Sequence, residues 1–281
     1  MKTTNDRIGY MQGRLSPLID GKIQAFPWPY WQQEFPEAHK TGLHQMEWTL
    51  DQDRLYENPL MTSAGQQEIR SLCTQYEISI PSLTGDCFMQ SPLWKVPIQA
   101  RAALAADFLA IAIACEKVGI EMIVVPLVDT GRLDTMEQED ILVEFLQAHS
   151  EFLSKLKVKI LFESDFSPIE LARFIDRLPA DLFGINYDIG NSSALGMNPL
   201  DEFKAYGPRI INVHVKDRLL GGTTVALGHG NADFPTVFSL LRNQNYGGNY
   251  IMQTARVDDG AHSTALKMYM QMITAWVEDA A

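Results

Sequence analysis

With 281 residues, 46% of them hydrophobic, the chain can bury a large core, and its charged residues (21%) form no run that marks disorder. A net charge of −12 excludes general binding to nucleic acid, whose phosphates need a basic surface, but not a small anionic ligand gripped by local arginines. Cys73, Cys87 and Cys115 have no C-x-x-C spacing, the first residues carry no apolar leader, and no apolar run reaches the ~18 residues of a membrane span. A cytoplasmic protein with reduced, buried thiols and no membrane partner is expected.

Short apolar runs alternate with stretches of helical period along the whole chain. Strands are predicted at 8–12, 42–48, 78–84, 122–125, 159–163, 183–188, 210–215 and 250–253. A long loop at 16–40 carries Phe26, Pro27, Trp28, Pro29, Tyr30 and Trp31, an aromatic cluster that either packs locally or covers a site. Helices are predicted at 98–118, closing on Gly119, then at 136–156, 168–178, 235–244 and 261–278. The third opens on Ser167, Pro168 and Glu170, a capping box with proline at the first helical position. Eight strands joined by helices are the count of a (β/α)8 TIM barrel of α/β class. The doubly wound alternative lacks its glycine fingerprint, because the first strand runs into Gln12-Gly13-Arg14. No composition break divides the chain, so one domain over 1–281 is expected.

Four of these strands end in polar residues able to bind a metal. Glu163, Asp188, His214 and Gln253 close strands five to eight, and in a closed barrel the C-terminal ends of the strands converge on one mouth. Two carboxylates, an imidazole and an amide oxygen form a mixed N/O set suited to one divalent ion, Mn²⁺, Mg²⁺, Co²⁺ or Zn²⁺. No cysteine stands at these ends, which argues against structural zinc. Lys216, two residues after His214, shares its face and points towards the same mouth.

The chain resembles the sugar isomerase/epimerase superfamily, the xylose isomerase-like barrels. The resemblance is carried by Ile8-Gly9-Tyr10-Met11-Gln12-Gly13-Arg14, Phe162-Glu163, Tyr187-Asp188-Ile189-Gly190-Asn191 and His214-Val215-Lys216-Asp217. It continues through Leu227-Gly228-His229-Gly230-Asn231-Ala232-Asp233-Phe234, which is similar to the family's Gly-x-Gly loop. The resemblance implies a divalent cation held at Glu163, Asp188, His214 and Gln253. It also implies a small carbohydrate substrate and proton abstraction next to a metal-bound carbonyl through an enediolate.

Two positions depart from the family pattern. Gln253 stands where glutamate is usual, and an amide cannot accept and return a proton. Asn191 stands where the epimerases usually have histidine. Two-base chemistry through Glu163 and residue 253 is thereby put in doubt, and Glu163 with Lys216 becomes the candidate acid/base pair. Glu170 is assigned to its capping box. Arg14, Arg132, Arg218 and Arg256 follow strands or lie in loops of the same face and are candidates to hold a substrate phosphate or carboxylate. Trp28, Asn191 and His229 complete the expected substrate-binding set.

The leading expectation is therefore a metal-dependent sugar or sugar-phosphate isomerase/epimerase. A dehydratase of a keto-sugar or keto-cyclitol, which needs one base, is the alternative, followed by a non-catalytic sugar-binding barrel. DNA cleavage is disfavoured by six histidines and an acidic chain. Barrels of this class commonly form homo-oligomers.

Overall fold

The computed structural model describes residues 4–258 and 260–278. The expected domain over 1–281 thus includes seven residues that lie outside the described ones, 1–3, 259 and 279–281. In chain order the strands are β1 (Ile8–Met11), β2 (Gln45–Thr49), β3 (Ser79–Thr84), β4 (Met122–Leu127), β5 (Lys159–Ser164), β6 (Phe183–Asp188) and β7 (Ile210–Val215). They are followed by β8 (Asp217–Arg218), β9 (Thr224–Val225) and β10 (Asn249–Met252). Eight close into a parallel barrel in the order β1-β10-β7-β6-β5-β4-β3-β2, while β8 and β9 form a small antiparallel hairpin beyond β7. This is the single-domain (β/α)8 TIM barrel, with helices between successive strands.

Apolar side chains pack between the barrel and its helices. Phe162 of β5 meets Phe174 edge to face at 5.0 Å, and Phe238 packs on Tyr250 of β10 at 5.3 Å. The capping box at Ser167 and Glu170 forms as expected and starts the helix Pro168–Ile175. Gly119, at φ +84°, closes the helix Ile98–Val118.

Several elements differ from expectation for local reasons. The second strand begins at Gln45, because Gly42, at φ +83°, is the left-handed cap of a helix Glu34–Thr41 that occupies the end of the expected 16–40 loop. A further helix, Ser63–Tyr76, was not predicted. The expected 136–156 helix is broken at His149 into Met136–Ala148 and Ser150–Leu156. The last barrel strand ends at Met252, so Gln253 lies one residue beyond it, with its N–H still donated to Val215 O at 3.1 Å. The expectation for apolar runs also needs correction: the 21-residue helix Ile98–Val118 is long and apolar enough, by length and composition, to cross a membrane. In the barrel its inner side buries Phe108, Ile111, Ala112, Ala114 and Cys115. Cys87 and Cys115 are buried, Cys73 is half-buried, and all three are free thiols.

Candidate active site

The polar interior of the barrel is built by strand alternation. Asn212 and His214 share the inner face of β7, and Asn186 and Asp188 share that of β6. A register shift between Ile185 and Asn186 sets Asn186 beside Asn212 and Asp188 beside His214. Glu163, near the end of β5, completes a buried group: one ligand atom from each of Glu163, Asp188 and His214 lies within 4.8 Å of the others.

His214 is fully buried and held from both sides. Its Nε2 lies 2.7 Å from Glu47 Oε1, a carboxylate on β2. Nδ1 lies 3.1 Å from Glu163 Oε2 and 4.0 Å from Asp188 Oδ2, yet neither contact has hydrogen-bond geometry. Burial alone lowers the imidazole's pKa, but Glu47 and Glu163 outweigh it and raise the value to about 10. A buried nitrogen without a bond of its own, facing two carboxylates and fixed through its other nitrogen by a third, is a donor set that fits a divalent cation.

Glu47 was missed by the sequence reading. Besides His214 it accepts bonds from Ser82 Oγ at 2.6 Å, from Asn212 Nδ2 at 3.1 Å and from Thr84 Oγ1. Burial pushes its carboxyl up, but the charge and hydrogen bond of His214 prevail and leave it below the ordinary carboxylate value. Asn212 Nδ2 also donates to Asn186 Oδ1 at 2.8 Å, and Asn186 Nδ2 to Glu163 Oε2 at 3.1 Å, so the floor is one connected network. A sequence signal existed: Gln45, Glu47 and Thr49 alternate with Met46 and Trp48, the pattern of a strand with a polar inner face.

Above this floor lies a cavity of about 470 Å³ lined by Arg14, Gln24, Asp86, Glu163, Asn191, Lys216, Arg218 and Gln253, among others. Lys216 Nζ donates to Asp188 Oδ2 (3.2 Å), Asn191 Oδ1 (3.0 Å) and Gln253 Oε1 (3.2 Å). It can lie across the helix Ile189–Ala194 because residue 190 is glycine: a Cβ there would stand 2.6 Å from Lys216 Cγ. Asn191 is a junction, donating to Glu163 Oε1 at 2.6 Å and accepting also from Arg218 at 2.9 Å.

The structure thus gathers Arg14, Glu163, Asn191, Lys216, Arg218 and Gln253 around one cavity, with Asp188 and His214 buried at its floor. Four residues expected to hold the substrate do not line it. Trp28 packs on Phe26 at 4.9 Å and under the Arg54 guanidinium at 3.8 Å. The ring of His229 lies against Leu227 O at 3.3 Å, in a loop whose Gly228 and Gly230 amides both donate to Asp217. Arg256 donates to Gly13 O and to Ser16 O, the latter at 2.6 Å. Arg132 pairs with Asp165 at 3.5 Å.

A closed parallel barrel with a Glu-Asp-His group at its C-terminal mouth defines a class of proteins whose active sites are built on strand ends. The chain belongs to the xylose isomerase-like TIM barrel family, whose model matches residues 35–272. Among solved structures it is similar to a xylose isomerase domain protein from Planctomyces limnophilus (17% identity, TM-score 0.75, covering 99% of each chain). It is also similar to the IolI protein crystallised with a zinc atom (16% identity, TM-score 0.75, 98% of this chain and 99% of that one). A third is the 3-keto-D-glucoside 4-epimerase YcjR from E. coli (16% identity, TM-score 0.67, 95% and 99%). No curated protein matches the chain in sequence.

Proposed function

We propose that the protein is a metal-dependent sugar isomerase or epimerase that removes a proton from the carbon next to a carbonyl. The observation that carries this reading is the unbonded, buried Nδ1 of His214 facing Glu163 and Asp188 beneath a cavity large enough for a monosaccharide. Glu163, Asp188 and His214 would hold the ion, Mn²⁺, Mg²⁺, Co²⁺ or Zn²⁺, with the second lone pair of Gln253 Oε1, which also accepts from Lys216, as the fourth donor, and a solved barrel of similar fold carries zinc. When bound, such an ion supplies Lewis-acid polarisation of a substrate carbonyl.

The protein's own groups then divide the work. Glu163, fixed by Asn186 and Asn191, accepts the carbon-bound proton. Lys216 projects into the cavity and donates a hydrogen bond to the oxygen on which negative charge develops. Arg14, Asn191 and Arg218 line the wall that orients the sugar. Trp28, His229 and Arg256 act on the substrate only through the loops they belong to. The free thiols fit a cytoplasmic location.

Elemental analysis of the purified protein tests this reading. About one divalent ion per chain is expected, with activity on ketoses lost on chelation and restored by Mn²⁺ or Co²⁺. Absence of the ion together with no restored activity would sink the proposal. A dehydratase on the same scaffold is favoured by one observation: the side chain that meets Lys216 from β10's end is the amide of Gln253, which cannot serve as a second acid/base. A product lighter by 18 Da, the mass of water, identifies that reaction, while isomerisation leaves the mass unchanged.

A further inference from the structure

We propose that Asp86 is the second acid/base group of this cavity, acting on the substrate from the wall opposite the ligand-bearing strands. The inference rests on the isomerase/epimerase reading and answers the question that Gln253 raises. The amide of Gln253 is engaged at both ends: Oε1 accepts from Lys216, and Nε2 donates to Gln24 Oε1 at 2.9 Å. Gln24 in turn donates its own Nε2 to Asp86 Oδ2 at 2.7 Å. A chain of hydrogen bonds therefore runs across the mouth from Lys216 through Gln253 and Gln24 to Asp86, and it ends on a carboxyl.

The barrel order sets where that carboxyl stands. β3 is four places from β7 around the eight strands, so it lies diametrically across from His214 and Lys216. Asp86 follows β3 by two residues beyond Thr84 and lines the same cavity as Glu163. Its Oδ1 accepts no hydrogen bond from the described residues. A sugar seated on the floor thus meets Glu163 from the ligand side and Asp86 from the facing wall.

The environment of Asp86 suits proton delivery. Burial raises its pKa to about 7; the Gln24 hydrogen bond opposes this, Asp51 and Glu163 raise it further, and Arg14 lowers it. A carboxyl that is partly protonated near neutrality can donate as well as accept. The step balances without a co-reactant. Glu163 takes the proton; the C–H electron pair becomes the carbon–carbon double bond of an enediolate and the carbonyl π pair moves to oxygen. Protonated Asp86 then delivers its proton to the opposite face of the same carbon, which restores the carbonyl with inverted configuration. Exchange with water resets both carboxyls.

The test compares the Mn²⁺-loaded wild type with Asp86→Asn in D₂O on 2-ketohexoses, D-fructose first. Asparagine can still accept the Gln24 bond through its own oxygen, and an unchanged melting temperature checks the fold. Deuterium uptake at the carbon beside the carbonyl reads proton removal by Glu163, and epimer formation reads inversion. In the variant, uptake is expected within about threefold of wild type while inversion falls by roughly 10²–10⁴. A readout independent of turnover is carbon-13 NMR of the aspartate carboxyls in the ion-free protein, where one resonance titrating near neutrality should vanish in Asp86→Asn. Inversion at the wild-type rate, or loss of uptake and inversion together, would overturn the assignment of Asp86 alone. No uptake by the wild type on any ketohexose overturns the isomerase/epimerase reading and this inference with it.

Discussion

The two sides of the barrel mouth use buried charge in opposite ways. On the β5–β6–β7 side, Glu163, Asp188, His214 and Lys216 bond to other side chains, and one nitrogen, His214 Nδ1, has no hydrogen bond among the described residues. On the β1 side, Arg14, Arg256 and Glu34 are committed to the backbone. Arg14 donates to Thr254 O and Ile23 O, Arg256 to Gly13 O and Ser16 O, and Glu34 accepts from the amides of Gly13 and Leu15. Both groups are charged residues near the mouth, but the first bonds through side chains that face the cavity, whereas in the second Arg14 lines the cavity and Arg256 and Glu34 do not. The difference teaches that a charge near a strand end is left for chemistry in proportion to the polar atoms that the local backbone does not already claim.

Substitutions on the two sides should therefore separate function from stability, and Glu163→Gln has the largest expected effect. It keeps the size of the side chain and removes both a ligand charge and the proposed base, so proton exchange on a ketose should fall by about 10³-fold or more. Proton NMR of substrate in D₂O checks this, and a loss below tenfold would remove Glu163 from the chemistry.

Glu34→Gln probes the backbone-committed side through pH. Burial, opposed by the amides of Gly13 and Leu15, raises the Glu34 carboxyl from 4.5 to about 7. Its pKa is higher in the folded than in the unfolded chain, so its protonated form stabilises the fold. That contribution is fully present below about 4.5 and is lost as pH rises through about 7. The wild type should lose roughly 3 kcal/mol across this window relative to Glu34→Gln, from ~1.4 kcal/mol per pH unit. Urea unfolding at several pH values reads the difference, and parallel curves for the two proteins would remove the effect.

The barrel was legible in the sequence because strand and helix periods repeat along the whole chain. The Glu163, Asp188 and His214 group was legible because each of these residues closes an apolar run. What stayed hidden was set by contacts remote in sequence. Glu47 lies 167 positions from the His214 ring it orients, and Gln24 reaches Asp86 from a loop whose aromatic residues drew attention instead. Phe26 and Trp31 of that loop pack on Trp48, while Ile23 and Gln24 line the cavity. Arg256 looked like an anion ligand because sequence shows its charge and not the carbonyls that take its N–H groups.

Glu47→Gln sharpens the ligand side. Glutamine can still accept from His214 Nε2 but no longer supplies the negative charge that holds the ring with Nδ1 towards Glu163 and Asp188. Outer carboxylates of this kind typically contribute 10–100-fold to metal affinity. Titration calorimetry with Mn²⁺ should show a weakening of about that size, with a fold that still unfolds cooperatively. Unchanged affinity would mean that the floor network, not the Glu47 charge, orients the ring.

Arg256→Met has the smallest expected effect on the site and the clearest bearing on the comparison. Its guanidinium ties the 253–256 segment after β10 to the Gly13–Ser16 turn after β1, and methionine keeps much of the apolar stem while leaving Gly13 O and Ser16 O without that donor. Losing bonds to partly buried carbonyls costs about 1–3 kcal/mol, so the melting temperature should drop by several degrees. Mn²⁺ affinity should stay within about twofold, because the bonds described for Arg256 go to Gly13 O and Ser16 O. A variant with wild-type stability but much weaker binding of a phosphorylated ketose would reverse this assignment. It would return Arg256 to the substrate, beside Arg14.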